Sequence, residues 1–351
     1  MRKARIGIIG VGWWGTVGHL EPLSKDPKAE IVAVYSRTED KAKQRAEQYH
    51  VSRYYTDYRQ LIDECNLDGV IIATTPNVHY EQARYALEHG LHVLMEKPFV
   101  LQSSQAEELA ELAKAKGKLL GVCHPLLFHP ALQEAARYLR DGSLGKLFLI
   151  SALFSQRVYE LYKGQVENAF KASGREEPLP NATSYSDPSI AGGGEGHTQA
   201  SHLVGAVLWL TQLTPAEVFA HMDNLDTPLD VVDTFSVRFQ EGALASMAAN
   251  GLLPAGVFQM HVHIQGERGL LHLDVLGRSA FVLLAGEKEP RKFNLAENPP
   301  FPLRDQVPRN FVRAILGEEK LLVGAQIAVN EVKILDAAYQ SARLGHPVAI
   351  K

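Results

Sequence analysis

Between residues 4 and 123, β-rich runs and helical stretches take turns along the chain. "RIGIIG", "EIVAVYS", "LDGVIIATTP", "HVLMEKP" and "KLLGVCH" read as strands, and the third is a continuous apolar run of the kind buried on both faces. A first helix from about Trp14 to Ser24 follows the first strand. "EDKAKQRAEQYH", "VHYEQARYALEHG" and "SQAEELAELAKAKG" follow later ones, the last two ending at Gly90 and Gly117. Strands joined by crossover helices run parallel, and a parallel sheet needs helices on both faces. The segment is therefore expected to be an α/β doubly wound sheet.

A chain of 351 residues exceeds what one such core usually holds, and the pattern changes after Pro125. A helix near residues 131 to 141 precedes "KLFLISALF", "AEVFAHM", "VVDTFSVRF", "ALASMAANG", "FQMHVHIQG" and "GLLHLDV", strands at hairpin-like spacing. Two domains follow: a parallel α/β domain over 1–123, and over 124–351 an α+β domain with a large open, mainly antiparallel sheet. The closing helix and strand are candidates to pack back on the first domain.

Composition excludes several classes. The formal charge is -4, with no run of Lys or Arg, so no nucleic-acid partner is expected. The two cysteines, Cys65 and Cys123, stand in no metal or redox spacing and suit a reducing compartment. The apolar run at the N-terminus is short, broken by glycines and without a small-residue cleavage site. No stretch approaches about 20 apolar residues, so neither a membrane span nor a membrane partner is expected, and the expected location is cytoplasmic.

"GVGWWG" places Gly10, Gly12 and Gly15 at the turn from first strand to first helix, with Trp13 and Trp14 between. This is the dinucleotide fingerprint of a Rossmann domain. The first glycine permits the tight turn, the second lets a pyrophosphate approach the backbone, and the third lets helix and strand pack closely. The second strand ends at Ser36 and Arg37, where the adenosine ribose belongs. An NAD-selective site usually carries a carboxylate there; a hydroxyl and a guanidinium suit a 2′-phosphate instead. NADP is favoured, with NAD as the alternative and Arg37 then lying flat on the adenine.

"TTPNVHYEQA" after the third strand, "MEKP" ending the next, "DGSLGKLFLISA", "GGGEGHTQASHLVGAVLWL" and "EVKILDAAYQSARLGHPVAI" complete the pattern. Together with the glycine turn they resemble the glucose-fructose oxidoreductase / inositol dehydrogenase / rhizopine-catabolism (Gfo/Idh/MocA) family over most of the chain. The resemblance implies a dinucleotide site formed by Gly10, Gly12, Trp13, Trp14, Gly15, Ser36, Arg37, Thr74, Thr75, Pro76, Asn77, His79, Glu96 and Lys97. It implies that Lys97, at the carboxyl end of its strand, binds and polarises the substrate oxygen, that Glu96 orients it, and that a cis bond precedes Pro98. It also implies that His202 faces the substrate hydroxyl and that the open sheet face serves self-association. The expected activity is NAD(P)-dependent hydride transfer to or from a sugar, cyclitol or related polyol or ketose. The alternatives are an NAD-dependent glycosidase with tightly bound cofactor and a non-catalytic dinucleotide-sensing regulator.

One departure concerns the proton relay. The family commonly has an aspartate one helical turn before the position of His202, and this chain has Thr198 there. Glu195, Thr198, Gln199 and His202 are spaced to share one face of an α-helix, so Glu195 is a candidate substitute. His197 lies well round that helix and reads as a neighbour at its start. The stretch from Ser155 to Ala191 is expected to be irregular, broken by Pro178, Pro180 and Pro188. Its Arg157, Tyr159, Tyr162, Asn168, Asn181 and Tyr185 could line a sugar-sized pocket, with oligomer contacts as the alternative. His124 and His129 flank the domain junction, and His124 is a further substrate candidate. His261 and His263 share a strand face, but no third ligand is evident, so no metal is expected.

Overall fold

A computed structural model describes residues 2–172, 179–275, 279–293, 295 and 303–351. The alternating segment forms β1 (Ala4–Ile9), β2 (Ala29–Tyr35), β3 (Arg53–Tyr55), β4 (Gly69–Ile72), β5 (His92–Met95) and β6 (Leu120–Val122). They lie in the order β3-β2-β1-β4-β5-β6, and every neighbouring pair is parallel. Ile6, Ile8, Ile9, Val70, Ile71, Ile72 and Val93 are fully buried, as strands covered on both faces require. The strand order reverses between β1 and β4, and the crevice beyond their carboxyl ends is where such sheets take ligands. β3 is absent from the sequence-based strands because "RYY" is short, lies at the edge and carries no alternation to detect.

The first helix also differs from expectation. Gly15–Leu20 is wound as a π-helix and continues as an α-helix over Glu21–Ser24. Glu21 donates its backbone N–H to the Thr16 carbonyl, five residues back. Such a turn inserts one extra residue per winding and rotates everything after it.

The remaining strands are β7 (Leu147–Gln156), β8 (Pro215–Asp223), β9 (Val232–Phe239), β10 (Leu244–Asn250), β11 (Phe258–Gly266), β12 (Gly269–Asp274), β13 (Ser279–Leu284), β14 (Arg291–Lys292) and β15 (Val348–Ala349). They form one sheet in the order β14-β13-β12-β11-β7-β10-β9-β8-β15, antiparallel except for the β7–β10 pair. Alternate residues face inward and are buried, among them Ile150, Phe154, Phe235, Met247, Val262 and Leu271. The helix Ser201–Thr211, apolar nearly all round, packs on β7 and on the helix Pro130–Arg140. The outward residues of the same strands include the exposed Leu149, Ser151, Leu244 and His263.

Contacts divide the chain into two units, with the first break at Pro125. The helix Gln306–Ile315 and the residues up to Val329 belong to the first unit, where Arg313 Nη1 meets Asp26 Oδ2 at 2.9 Å. The last helix from Asn330 onward and β15 belong to the second, where β15 pairs with β8. The closing strand therefore completes the second sheet rather than joining the first domain. The stretch expected to be irregular holds short helices at Tyr159–Tyr162, Val166–Ala172, Thr183–Ser186 and Pro188–Ala191; Pro178 lies outside the described residues. Among the described residues no helix is long and apolar enough to cross a membrane.

One inward position on β9 is an acid. Asp233 is 0 % exposed, and burial, then the charges of Asp230 and Glu195, push its carboxyl well above the ordinary 3.8. A raised folded-state pKa contributes stability below the ordinary value, and that contribution is lost as pH rises towards the folded value, by up to about 1.4 kcal/mol per pH unit. Asp233→Asn should remove this dependence. Its melting temperature should gain on the wild type as pH rises from 4.5 to 8, and parallel curves would show that Asp233 is ionised in the fold.

Candidate functional site

In the first unit the glycine turn is built as the fingerprint requires. Gly10 has φ +103, and a Cβ there would lie 2.6 Å from the Ala73 carbonyl oxygen; at Gly15 it would lie 1.9 Å from that of Gly10. A Cβ on Gly12 would meet nothing within 4 Å, so the backbone is open on the side a phosphate would approach. Beyond β2, Ser36 is buried and Arg37 is exposed. Beyond β4, Thr75 Oγ1 donates to Asn77 Oδ1 at 2.8 Å and Thr74 Oγ1 to Gln82 Oε1 at 2.6 Å, around a turn over Pro76–Val78. An open glycine turn, a guanidinium beyond β2 and a polar turn beyond β4 fit a dinucleotide.

His79 has a different place from the one expected of a cofactor contact. It is 0 % exposed, with Nδ1 3.0 Å from the Pro98 carbonyl and Nε2 3.2 Å from that of Thr74. Burial holds its pKa below the usual value, so the ring is neutral and its one N–H donates to one of these carbonyls. The Lys97–Pro98 bond is cis.

Glu96 follows β5 and is nearly inaccessible, yet its carboxylate is well supplied with donors. Trp14 Nε1 donates to Oε1 at 2.6 Å, His19 Nε2 lies 2.8 Å from the same oxygen, and the Lys97 backbone N–H donates to Oε2 at 3.2 Å. Burial pushes the carboxyl upward. The His19 hydrogen bond and the His19 and Lys97 charges outweigh it, so the pKa lies below the usual range. Trp14 and His19 stand five positions apart, about 140° round an ordinary α-helix, which would separate them. The π winding of Gly15–Leu20 brings both to one oxygen. Gly18 leaves room for the indole, since a Cβ there would lie 3.0 Å from Trp14 Nε1. Cys123 Sγ lies 4.0 Å from His19 Nε2, and burial, then the Glu96 charge, push its thiol well above the usual value. Sequence reasoning had no signal for His19 or Cys123, because α-helical spacing directs His19 elsewhere.

The second unit repeats the device. "GGGEG" wraps the carboxylate of Asp230, whose Oδ1 and Oδ2 accept the Gly194 and Gly196 N–H groups at 2.7 Å each, while Tyr339 donates its hydroxyl to Oδ1 at 2.9 Å. A Cβ on Gly194 would lie 2.0 Å from the Asp230 carbonyl oxygen, and one on Gly193 2.0 Å from the Tyr339 hydroxyl. Those glycines are set by close approach. The following residues, Gly196–Ala200, form a second π-helix, in which Ser201 donates back to the Gly196 carbonyl.

That winding divides the face expected from α-helical spacing. Glu195 Oε2 accepts the Tyr162 hydroxyl at 3.0 Å, and Thr198 Oγ1 also meets that hydroxyl and donates to the Gly194 carbonyl at 2.7 Å. Gln199 instead meets Gln156 of β7, and the His202 ring lies against Phe154 of the same strand, centroids 5.9 Å apart. Burial drives the pKa of His197 down to about 4, and its ring packs against Tyr339 at 4.6 Å. Its ring is neutral and buried. His202 is half-buried, on the helix that the Asp230 cluster anchors.

The other substrate candidates scatter. Tyr162 is fully buried against Glu195 and Thr198, so it lines no pocket; burial, then the Glu195 charge, keep its hydroxyl protonated. Tyr159 pairs with Asp226, Asn168 Nδ2 reaches Gln165, and Asn181 Oδ1 caps Thr183. Arg157 is exposed and pairs with Glu160; Tyr185 is half-buried. His124 is 1 % exposed, too enclosed to present its ring to solvent, and His129 caps the helix Pro130–Arg140 through the Ala131 N–H.

Two family models match the chain. One, an oxidoreductase family with an NAD-binding Rossmann fold, covers residues 4–124, and the GFO/IDH/MocA C-terminal domain covers residues 132–272. A scyllo-inositol 2-dehydrogenase (NADP(+)) of Bacillus subtilis is 31% identical over 48% of this chain and 51% of its own. A D-xylose 1-dehydrogenase (NADP(+)) of Haloferax volcanii is 25% identical over 98% of this chain and 99% of its own. The chain spans about half the length of the curated relatives it matches first. The solved structure of an oxidoreductase domain protein from Kribbella flavida superposes with a TM-score of 0.85 at 21% identity, over 100% of both chains.

The Glu96 cluster carries a stability prediction. Removing the His19 ring takes one hydrogen-bond partner from a buried carboxylate, worth about 1.5–3 kcal/mol. His19→Ala should lose about that in urea unfolding at pH 7. Glu96 then protonates in the fold, so the deficit should shrink towards pH 4.5. His19→Gln, which keeps a donor, should recover part of it. A deficit independent of pH would mean that the ring contributes packing alone.

Proposed function

The chain belongs to the Gfo/Idh/MocA oxidoreductase family, and on that premise we propose that it is an NAD(P)-dependent oxidoreductase acting on a CH–OH group of a sugar, cyclitol or related polyol, or on the matching ketose. The observation that carries this reading is the junction of an open glycine turn with a buried, donor-saturated Glu96 directly before Lys97. The dinucleotide, when bound, supplies the hydride acceptor or donor.

The chain's own residues do the rest. Gly12 and the turn around Thr74, Thr75, Pro76 and Asn77 hold the phosphates and nicotinamide half. Lys97 hydrogen-bonds the substrate oxygen and stabilises negative charge on it as carbinol and carbonyl interconvert. Glu96, itself out of reach of substrate, fixes the backbone at Lys97. His202 takes the hydroxyl proton in oxidation and returns it in reduction, its ring set against Phe154. Arg157 and Tyr185 are retained as substrate contacts, and the open sheet face as the surface for self-association.

NADP is the preferred dinucleotide in this reading. Ser36 and Arg37 stand where a carboxylate would select NAD, and the names of two relatives carry NADP(+). An absorbance screen at 340 nm, pairing sugars, cyclitols and ketoses with NADP and NAD, tests the proposal. Turnover of at least one polyol–ketose pair is expected, and cofactor binding without turnover on any of them would contradict it. Arg37→Ala should raise the KM for NADP about 10- to 100-fold, the equivalent of about 1.5–3 kcal/mol of charge-assisted hydrogen bonding, and leave that for NAD nearly unchanged. An equal rise for both would assign Arg37 to the adenine. Lys97→Met should lower kcat about 100- to 1000-fold while dinucleotide binding persists.

A further inference from the structure

His263 of β11 and His272 of β12 are direct partners in the antiparallel register, on the outward face of the nine-stranded sheet. His272 Nδ1 lies 3.1 Å from His263 Nε2 and 3.4 Å from His263 Nδ1, with the ring centroids 4.4 Å apart. On its other side, His272 rests on Phe281 of β13, centroids 4.9 Å apart and planes at 31°. Its ring is therefore set by the neighbouring strands. One rung further along the same face, His261 Nδ1 lies 3.8 Å from its register partner's Asp274 Oδ2.

Two imidazoles that bind one ion must present nitrogens at a fixed bite. Metal–nitrogen bonds of about 2.0–2.1 Å put the two nitrogens about 3.4 Å apart at a tetrahedral angle and about 2.9 Å apart at a right angle. The separations of 3.1 and 3.4 Å fall in that range before any side chain moves. We propose that His263 and His272 form a bidentate site for a divalent transition-metal ion of the zinc, nickel or copper class, with His261 or Asp274 on the next rung and water completing the shell. Imidazole favours these ions over magnesium and calcium, which seek oxygen. The absence of a metal expected from the sequence compared His261 with His263 along one strand; the ligand pair runs across strands, where sequence spacing carries no mark. Nothing in this assignment depends on the proposed reaction.

A second set of possible ligands, His19, Glu96 and Cys123, has its ligand atoms within 4.8 Å of one another, but all three residues are buried and the carboxylate already accepts two donors. The test has to separate the two. Calorimetric titration of the full chain with zinc chloride should give one ion per chain, or one per two chains if a second copy shares it. His263→Gln and His272→Gln should each weaken binding at least tenfold, Cys123→Ser should leave it unchanged, and magnesium chloride should give no signal. Melting of the metal-free variants at the wild-type temperature confirms that they fold. Zinc affinity unchanged in both histidine variants, or lost in Cys123→Ser, would overturn the assignment.

Discussion

A carboxylate taken out of water must be surrounded by donors, and Glu96 imposes that demand on the first unit. Leaving it unpaired would cost several kcal/mol, so the indole of Trp14, the ring of His19 and the Lys97 backbone N–H all converge on it. The convergence fixes other features in turn. It needs the π turn that brings positions five apart to one side, the small Gly18 that admits the indole, and a strand end that cannot drift. The next residue along the chain is Lys97, whose backbone N–H this arrangement holds. In the second unit Asp230 plays the same part for the glycine-led turn that opens the helix carrying His202.

Much of the architecture was legible in the sequence because it rests on periodicity. The continuous apolar "GVII" of β4 and the alternation of β9 follow directly from burial on two faces or one. The glycine turn was legible for the same kind of reason, since Gly10 and Gly15 sit where a side chain would strike backbone. Features made by tertiary contact were not. β3 has too few residues to show a pattern, the two π turns leave no sequence mark, and Tyr162 looks like a polar loop residue until its burial against Glu195 is seen. The same limit hid His19, because α-helical spacing points it away from Glu96, and His272, whose partner lies on another strand.

Thr198 is the departure from the family pattern with the most chemical weight, and its surroundings give it a physical setting. The hydroxyl that replaces a carboxylate shares Tyr162 with Glu195, so a buried acid lies one hydrogen bond beyond it, through a tyrosine that burial keeps protonated. A carboxyl group remains near this helix, moved to the preceding turn and hydrogen-bonded by a phenol.

The proposed activity is hydride transfer between the substrate carbon and a dinucleotide held beside Lys97. The most direct test follows a label: a polyol deuterated at the reacting carbon is incubated with NADP and the wild-type chain, and the recovered dinucleotide is read by NMR. Deuterium at nicotinamide C4, accumulating about 100- to 1000-fold more slowly with Lys97→Met, is the predicted result. Conversion of the polyol with no deuterium reaching the dinucleotide would contradict it.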